Sequence, residues 1–254
     1  MKNLHLPLIA CAALALTGAA SAEELSLKFT GVNGKSIGLS VAGVKRDVSA
    51  GLMEFKTDKN TSFYAYCVEL NQYASSNLNK YEVTTFSNAT QAKNLQGLYS
   101  ATSLYKGDKA IDTAREYAAF QLAVWEITHE TSGKPLATTA YNASKDSYGQ
   151  TKWTTNANRG DFYLRQYAGV NYSSAGSDTA SFAALADSYL SAAVSYTGKS
   201  LFEIKKLHNG SYQDYVTATS VPTPVPEPAS YALMAAGLLG MGMVAKRRRA
   251  QHSA

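Results

Sequence analysis

The stretch DTAREYAAFQLAVWEITH, Asp112–His129, decides the fold class, because it is the clearest helix in the chain and separates two groups of strand-like segments. Asp112 can cap the first turn, and Ala, Leu and aromatic residues fill the rest of the helix. At 3.6 residues per turn, one face carries small and aromatic side chains and a single amide: Ala114, Tyr117, Ala118, Gln121, Trp125 and Thr128. The stretch predicts a helix with one chemically distinctive face.

Short segments of strand character precede this helix between residues 25 and 70. Turn sequences separate four of them, which predicts a four-stranded meander: LSLKFTG, SIGLSVAG, GLMEFKT and SFYAYCVEL. Asn33-Gly34 is a strong hairpin signal and predicts the first turn. After the helix, residues 131–178 are rich in Gly, Ser, Thr, Asn and Tyr, which predicts a loop-rich region.

A second helix is predicted over Ala180–Ser195, and a final hairpin around Asn209-Gly210. Strands first, helices in the middle and strands last are typical of an α+β domain. We therefore expect one domain over residues 23–216, built as a β-barrel or β-sandwich with an inserted helical subdomain. Residues 217–228, which gain proline and lose aromatic residues, predict an extended linker.

The C-terminal residues combine three features in a fixed order. The triplet Pro226-Glu227-Pro228 is followed by the uncharged apolar run 229–245 and then by four cations, Lys246, Arg247, Arg248 and Arg249. As a helix the run would span about 25 Å, and cations directly after it would hold the C-terminus in the cytoplasm. A buried core helix is the alternative, but such a helix normally has a polar face.

This order of motifs resembles the PEP-CTERM sorting signal of Gram-negative bacteria, which is also catalogued as an ice-binding protein C-terminal domain. The resemblance implies that residues 229–254 form a transient transmembrane helix with a basic cytoplasmic tail, and that an exosortase-like protease cuts near the triplet. It also implies a precursor in the inner membrane and a product that reaches the cell surface or is secreted into the extracellular matrix.

The N-terminus carries the features of a signal peptide over residues 1–22. Lys2 precedes the apolar stretch Leu4–Leu16, and Ala20-Ser21-Ala22 offers small residues to signal peptidase. Lys2 and the four tail cations account for five of the 24 basic residues, so 19 Lys and Arg face 19 Asp and Glu in the rest of the chain. The basic character therefore belongs to the sorting signals, and we expect no nucleic-acid partner.

Cys67 and Gln121 are the two residues most suited to a chemical reaction with each other. Cys67 is the one cysteine outside the predicted signal peptide, and Gln121 lies on the distinctive face of the helix. A thiol held at near-attack distance can add to an amide, and enclosure would protect the product from water. The motifs Tyr66-Cys67-Val68 and Phe120-Gln121-Leu122-Ala123-Val124-Trp125 resemble those of the bacterial thioester domains of Gram-positive surface adhesins.

The resemblance implies an internal thioester, with Cys67 as the nucleophile and Gln121 as the acyl donor to an amine-bearing partner. Tyr66, Phe120 and Trp125 would form the wall of that site. Two alternatives remain open. Gln121 and Cys67 can belong to an ordinary packed core, or Cys67 and His129 can act as nucleophile and base of a cysteine hydrolase.

Together these features predict an exported surface or extracellular-matrix protein rather than a turnover enzyme, attached covalently to its partner through Cys67 and Gln121. The alternative is a non-catalytic structural or saccharide-binding component of an exopolysaccharide matrix, whose partner would be the polysaccharide. The expected processing partners are signal peptidase and an exosortase-like protease. No cofactor is expected, and no metal site, because His129 and His208 have no Cys or His neighbours at ligand spacing.

Overall fold

The computed structural model describes most of the chain between residues 23 and 221. The described residues are 23–103, 111, 113–138, 141–145, 147–149, 151–155, 159–165 and 178–221. The predicted signal peptide and the predicted sorting signal lie outside these ranges. Within the same ranges, no helix has the length and apolar character needed to cross a membrane.

The described residues form nine strands and three helices. In chain order they are β1 (Glu24–Val41), β2 (Val44–Thr57), β3 (Ser62–Cys67), β4 (Asn79–Thr84), α1 (Ala89–Ser103), α2 (Ala114–His129), β5 (Tyr141–Lys145), β6 (Thr151–Thr155), β7 (Phe162–Leu164), α3 (Asp178–Ser195), β8 (Phe202–His208) and β9 (Tyr215–Ser220). The predicted α+β class is confirmed.

Six strands form a closed circuit of antiparallel pairs in the order β1-β2-β3-β9-β8-β4, and β4 pairs again with β1. The β1–β2 hairpin extends well beyond this circuit, and β7 pairs with the far end of β1. β5 and β6 form a separate two-stranded hairpin. Helix α2 packs against β1, β2, β3 and β7 and also against the other two helices.

The helices do not form a separate inserted subdomain, contrary to our expectation. One cluster of buried residues unites the sheet with all three helices, from Leu39 and Phe55 on the strands to Leu98, Leu122 and Ala186 on the helices. The reason lies in α2, where every residue from Ala118 to Ile127 is buried. A helix that is buried all round needs apolar partners on every side, and only the sheet and the other helices together supply them.

The first turn differs from the prediction. β1 runs straight through Asn33-Gly34, which pairs with Leu52 and Gly51 of β2, and the hairpin turns at Ala42-Gly43. Ala42 and Gly43 have φ values of 47° and 80°, as a two-residue hairpin turn requires. Gly34 instead allows β1 and β2 to approach closely, because a Cβ at this position would lie 1.9 Å from the carbonyl oxygen of Ala50.

Two helix and strand boundaries also differ. Thr113, rather than Asp112, caps α2: its side chain accepts from Glu116 N at 3.2 Å, and Glu116 Oε2 accepts from Thr113 N at 3.0 Å. This reciprocal pair satisfies two backbone donors that the first helical turn leaves open. At the other end of the domain, β9 continues to Ser220, so residues 217–220 belong to the sheet and not to a linker.

Candidate functional site

The structure brings Cys67 and Gln121 into direct contact. Cys67 N donates to Gln121 Oε1 at 2.9 Å, and Gln121 Nε2 donates to Cys67 O at 2.8 Å. Cys67 is 3% exposed and Gln121 is 1% exposed. Both polar atoms of the amide are therefore bonded to the backbone of the one cysteine among the described residues, and both residues are almost wholly buried.

The end of strand β3 explains why the amide binds there. The β2–β3 ladder stops at Ala65, which pairs with Met53, while β9 covers the other side of β3 at Tyr66 and Cys67. The N–H and C=O of Cys67 would otherwise be buried without partners, which is costly. Gln121 projects from the middle of α2 and supplies one acceptor and one donor, as a neighbouring strand would.

The Cys67 thiol is buried close to the Glu69 carbonyl and the Trp125 indole. Its Sγ donates to Glu69 O at 2.6 Å. Burial raises the pKa of the Cys67 thiol far above its ordinary value, and the neighbouring Trp125 indole only partly opposes this rise. Trp125 Nε1 itself is buried without a hydrogen-bond partner among the residues described. The free thiol is therefore protonated at neutral pH.

A cleft of about 410 Å³ reaches Cys67 and Trp125 from the surface. Its walls are mainly apolar and include Phe29 and Met53, and Asp47 is the one charged residue among the described residues that line it. Tyr73, which also lines the cleft, is 89% exposed. The cleft therefore joins an exposed rim at Tyr73 to the buried Cys67 and Trp125.

Tyr66 and Phe120, which we expected in the wall of this site, lie elsewhere. Their rings pack on each other with centroids 4.5 Å apart, and Tyr99 stands edge-on to Phe120 at 4.9 Å. Neither ring lines the cleft that reaches Cys67. The reason is the alternation of side chains along β3 and the 100° step along α2, which turn each ring away from the neighbouring Cys67 or Gln121. Of the three expected wall residues, Trp125 alone lines the cleft.

His129 belongs to a different cleft, of about 400 Å³, together with His208 and Lys206. Burial, and next the Arg46 guanidinium, lower the pKa of His129 to about 4. The Cys67 thiol donates to the Glu69 carbonyl and not to this imidazole. The geometry therefore does not support a cysteine hydrolase with Cys67 and His129 as nucleophile and base.

Two residues of the site were missed in the sequence. Glu69 accepts from the thiol through its carbonyl, and Gln213 Nε2 donates to the same carbonyl at 3.0 Å. Every residue has a backbone carbonyl, so the sequence does not indicate that the carbonyl of Glu69 accepts from the thiol. Gln213 is 146 positions beyond Cys67, so no local sequence pattern connects these two residues. Among the residues described, no group of three or more His, Cys, Asp or Glu could hold a metal ion.

Comparison with known proteins identifies one segment of the chain. Residues 224–249 match a family model described as the PEP-CTERM protein-sorting motif. No curated protein and no solved structure matches the chain. The match confirms the sorting motif, whereas the ice-binding and thioester-adhesin resemblances have no support from these comparisons. The motif indicates a membrane-anchored precursor that an exosortase processes and that ends at the cell surface or outside the cell.

Proposed function

We propose that the exported protein attaches covalently to an amine-bearing partner through an internal thioester between Cys67 and Gln121. It acts once per molecule as an adhesin and does not turn over as an enzyme. The observation that carries this proposal is the pair of hydrogen bonds between the Gln121 amide and the Cys67 backbone. They fix the Gln121 amide against the backbone of the residue that carries the thiol.

Thioester formation is balanced without any further reactant. Cys67 Sγ adds to the Gln121 amide carbon, and the carbonyl electron pair moves to Oε1, which already accepts from Cys67 N at 2.9 Å. That N–H is aimed at the atom where negative charge develops, as in an oxyanion hole. The intermediate then expels the amide nitrogen as ammonia, which carries away the thiol proton. The burial of both residues protects the product from hydrolysis.

Attachment to the partner reverses the role of the sulfur. A neutral primary amine enters through the cleft that reaches Cys67 and attacks the thioester carbonyl. The carbon–sulfur bond breaks, the sulfur takes up the proton lost by the amine, and an amide joins the former Gln121 side chain to the partner. The thiolate leaves more readily than an alkoxide or an amide anion, and the reaction proceeds downhill because an amide is more stable than a thioester.

A passive structural role in an extracellular matrix is the second candidate, and one observation favours it. The Gln121 amide satisfies both Cys67 backbone groups at normal hydrogen-bond lengths, which is sufficient reason for a buried glutamine. In that case the high pKa of the thiol keeps Cys67 as an unreactive core residue.

The intact mass of the full-length protein, with and without methylamine, separates the two candidates. The thioester predicts a deficit of one ammonia in the native protein and the addition of one methylamine after treatment. Cys67→Ala and Gln121→Ala must each abolish both changes. Gln96→Ala is the matched control, because Gln96 lies on α1 and its Nε2 bonds to Ser100 Oγ rather than to a thiol-bearing residue.

A full mass in the native protein, with a Cys67 that alkylates only after denaturation, would exclude the thioester and leave the passive role. Tandem mass spectrometry of the methylamine adduct must place the modification on Gln121. Modification of another glutamine would mean that the amine reacted elsewhere, and the proposal would fail.

A further inference from the structure

The folded domain ends a short distance before the sorting motif. β9 ends at Ser220, and Val221 N still donates to Leu201 O at 2.9 Å. Seven residues, 222–228, separate Val221 from the apolar run that begins at residue 229. A chain of this length spans at most about 30 Å, whatever its conformation. In the membrane-anchored precursor that the motif indicates, Val221 therefore lies within about 30 Å of the apolar run that anchors it.

Val221 belongs to the end of the domain where α1, the last turn of α3 and the start of β8 meet. Leu201, the partner of Val221, donates its N–H to Ser100 Oγ on α1 at 3.3 Å. One turn earlier on α1, Gly97 packs closely on α3, since a Cβ at Gly97 would lie 2.2 Å from the carbonyl oxygen of Ala193. Neighbouring turns of α1 thus connect Val221 with the last turn of α3.

Three large side chains with apolar surface are exposed at this end of the domain. Val194, in the last turn of α3, is 56% exposed and Val221 is 45% exposed. Tyr64 on β3 is 51% exposed, and its carbonyl accepts from Thr217 Oγ1 on β9 at 3.5 Å. Lys199, in the loop that follows α3, is also exposed. Tyrosine, aliphatic and lysine side chains are those that the headgroup layer of a bilayer accommodates. We call Tyr64, Val194 and Val221 together the β9 end.

The cleft that reaches Cys67 lies at the other end of the same strand. β9 begins at Tyr215, which pairs with Cys67, and runs to Ser220. At about 3.4 Å per residue, about 17 Å of strand separates Cys67 from the β9 end. Val44, at the tip of the β1–β2 hairpin, is further away still, because only the last residues of β2 pair with β3.

We propose that the β9 end is a membrane-contact surface of the anchored precursor, with Tyr64, Val194 and Val221 in the headgroup layer of the bilayer. The bilayer is the occupant because the short connection to residue 229 brings it to this end of the domain in every precursor molecule. The contact turns the Cys67 cleft away from the lipid, towards the outside. The proposal does not depend on whether a thioester forms.

Fluorescence quenching by spin-labelled lipids tests the contact. The full-length protein carries an environment-sensitive fluorophore on Val194→Cys or on Val44→Cys, in nanodiscs of phosphatidylethanolamine and phosphatidylglycerol with nitroxide headgroups. The two positions are matched, since both are exposed valines, at 56% and 53%. We expect roughly threefold more quenching at position 194 than at position 44. The wild type, whose Cys67 is buried, measures labelling elsewhere.

A flexible spacer distinguishes contact from tethering alone. Insertion of about 12 Gly and Ser residues between Val221 and Pro222 adds roughly 20 Å of reach. A contact surface predicts that position 194 remains more strongly quenched than position 44, whereas a tether alone predicts equal quenching.

Substitutions in the protein with the spacer test the surface itself. Tyr64→Asp should lower the quenching at position 194 towards that at position 44, because a carboxylate is costly in the headgroup layer. Leu78→Asp is the matched control and should leave the quenching unchanged. Leu78 is also 51% exposed, but it lies at the end of the sheet away from Ser220.

Equal quenching at the two positions, with or without the spacer, would overturn the proposal, and so would an equal loss in Leu78→Asp. Quenching at position 194 that appears only after an exosortase is added would mean that the protease brings this end to the lipid. That result would also overturn a direct contact between the β9 end and the bilayer.

Discussion

Gln121 and Glu126 are two buried polar residues on α2, five positions apart, and the helix satisfies them very differently. Gln121 uses both amide atoms on the Cys67 backbone. Glu126 accepts from Ala137 N at 2.8 Å through Oε1, while its Oε2 is buried without a partner. Burial raises the pKa of Glu126 to about 9, and the carboxylates of Glu130 and Asp187 add to the rise.

The difference shows that burying a polar side chain on the same helix can either support the stability of the protein or reduce it. A neutral amide with a complete set of partners supports the fold at no electrostatic penalty. A buried carboxyl group that lacks a hydrogen-bond partner must stay protonated. The stability of the folded protein therefore depends on pH. Three substitutions on α2 test this contrast.

The largest loss is expected for Gln121→Leu in a Cys67→Ala background, where no thioester can form. The change leaves the N–H and C=O of residue 67 buried and unpaired. We expect a loss of about 2–6 kcal/mol in the free energy of unfolding, at about 1–3 kcal/mol for each of the two orphaned groups. Equilibrium urea unfolding of the single and double variants measures it. Gln96→Leu in the same background is the control, and an equal loss there would mean that the Cys67 contact is unimportant.

The second substitution, Glu126→Gln, should stabilise the protein at neutral pH. The unfolded carboxyl ionises near its ordinary pKa of 4.5, whereas the folded one keeps its proton up to about pH 9. Folding between these pH values must therefore take up a proton, and the wild type loses stability as pH rises through this window. Since each pKa unit is worth about 1.36 kcal/mol, the variant should gain on the order of 3 kcal/mol at pH 7.

Urea unfolding of the wild type and Glu126→Gln from pH 4 to pH 9 measures this gain. The two proteins should converge at the acid end and diverge as pH rises. A constant difference across the whole range would show that the Glu126 carboxyl does not keep its proton, and the contrast with Gln121 would fail.

The smallest effect is expected at the exposed start of the same helix. Thr113→Ala removes one half of the capping box with Glu116 and should cost about 1 kcal/mol. Water can replace an exposed hydrogen bond, so the loss is smaller than at buried Gln121. Urea unfolding beside Thr90→Ala, an exposed threonine that does not cap a helix, provides the comparison. A loss as large as that of Gln121→Leu would contradict the distinction between buried and exposed polar groups.

Local patterns in the sequence were sufficient for two of the three helices, α2 and α3, and for the sorting motif. The 3.6-residue spacing within Asp112–His129 and Ala180–Ser195 predicted α2 and α3 to within two residues at each end. Residues 224–249 carry their order of proline, apolar run and cations along the chain itself, so no fold is needed to recognise them. Such features depend on near neighbours in the sequence, and for that reason they can be predicted from it.

Tertiary structure decided what local patterns could not. Asn33-Gly34 has the composition of a turn, but pairing with Gly51 and Leu52 over the whole β1–β2 hairpin outweighed that local preference. Tyr66 and Phe120 flank the predicted pair in sequence, yet strand and helix geometry turned them towards each other and away from the cleft. The sequence by itself determined the sorting motif and indicated Cys67 and Gln121 as a candidate pair. Only the packing of α2 against the end of β3 brought Gln121 to Cys67, because a contact across 54 residues depends on the fold of everything between them.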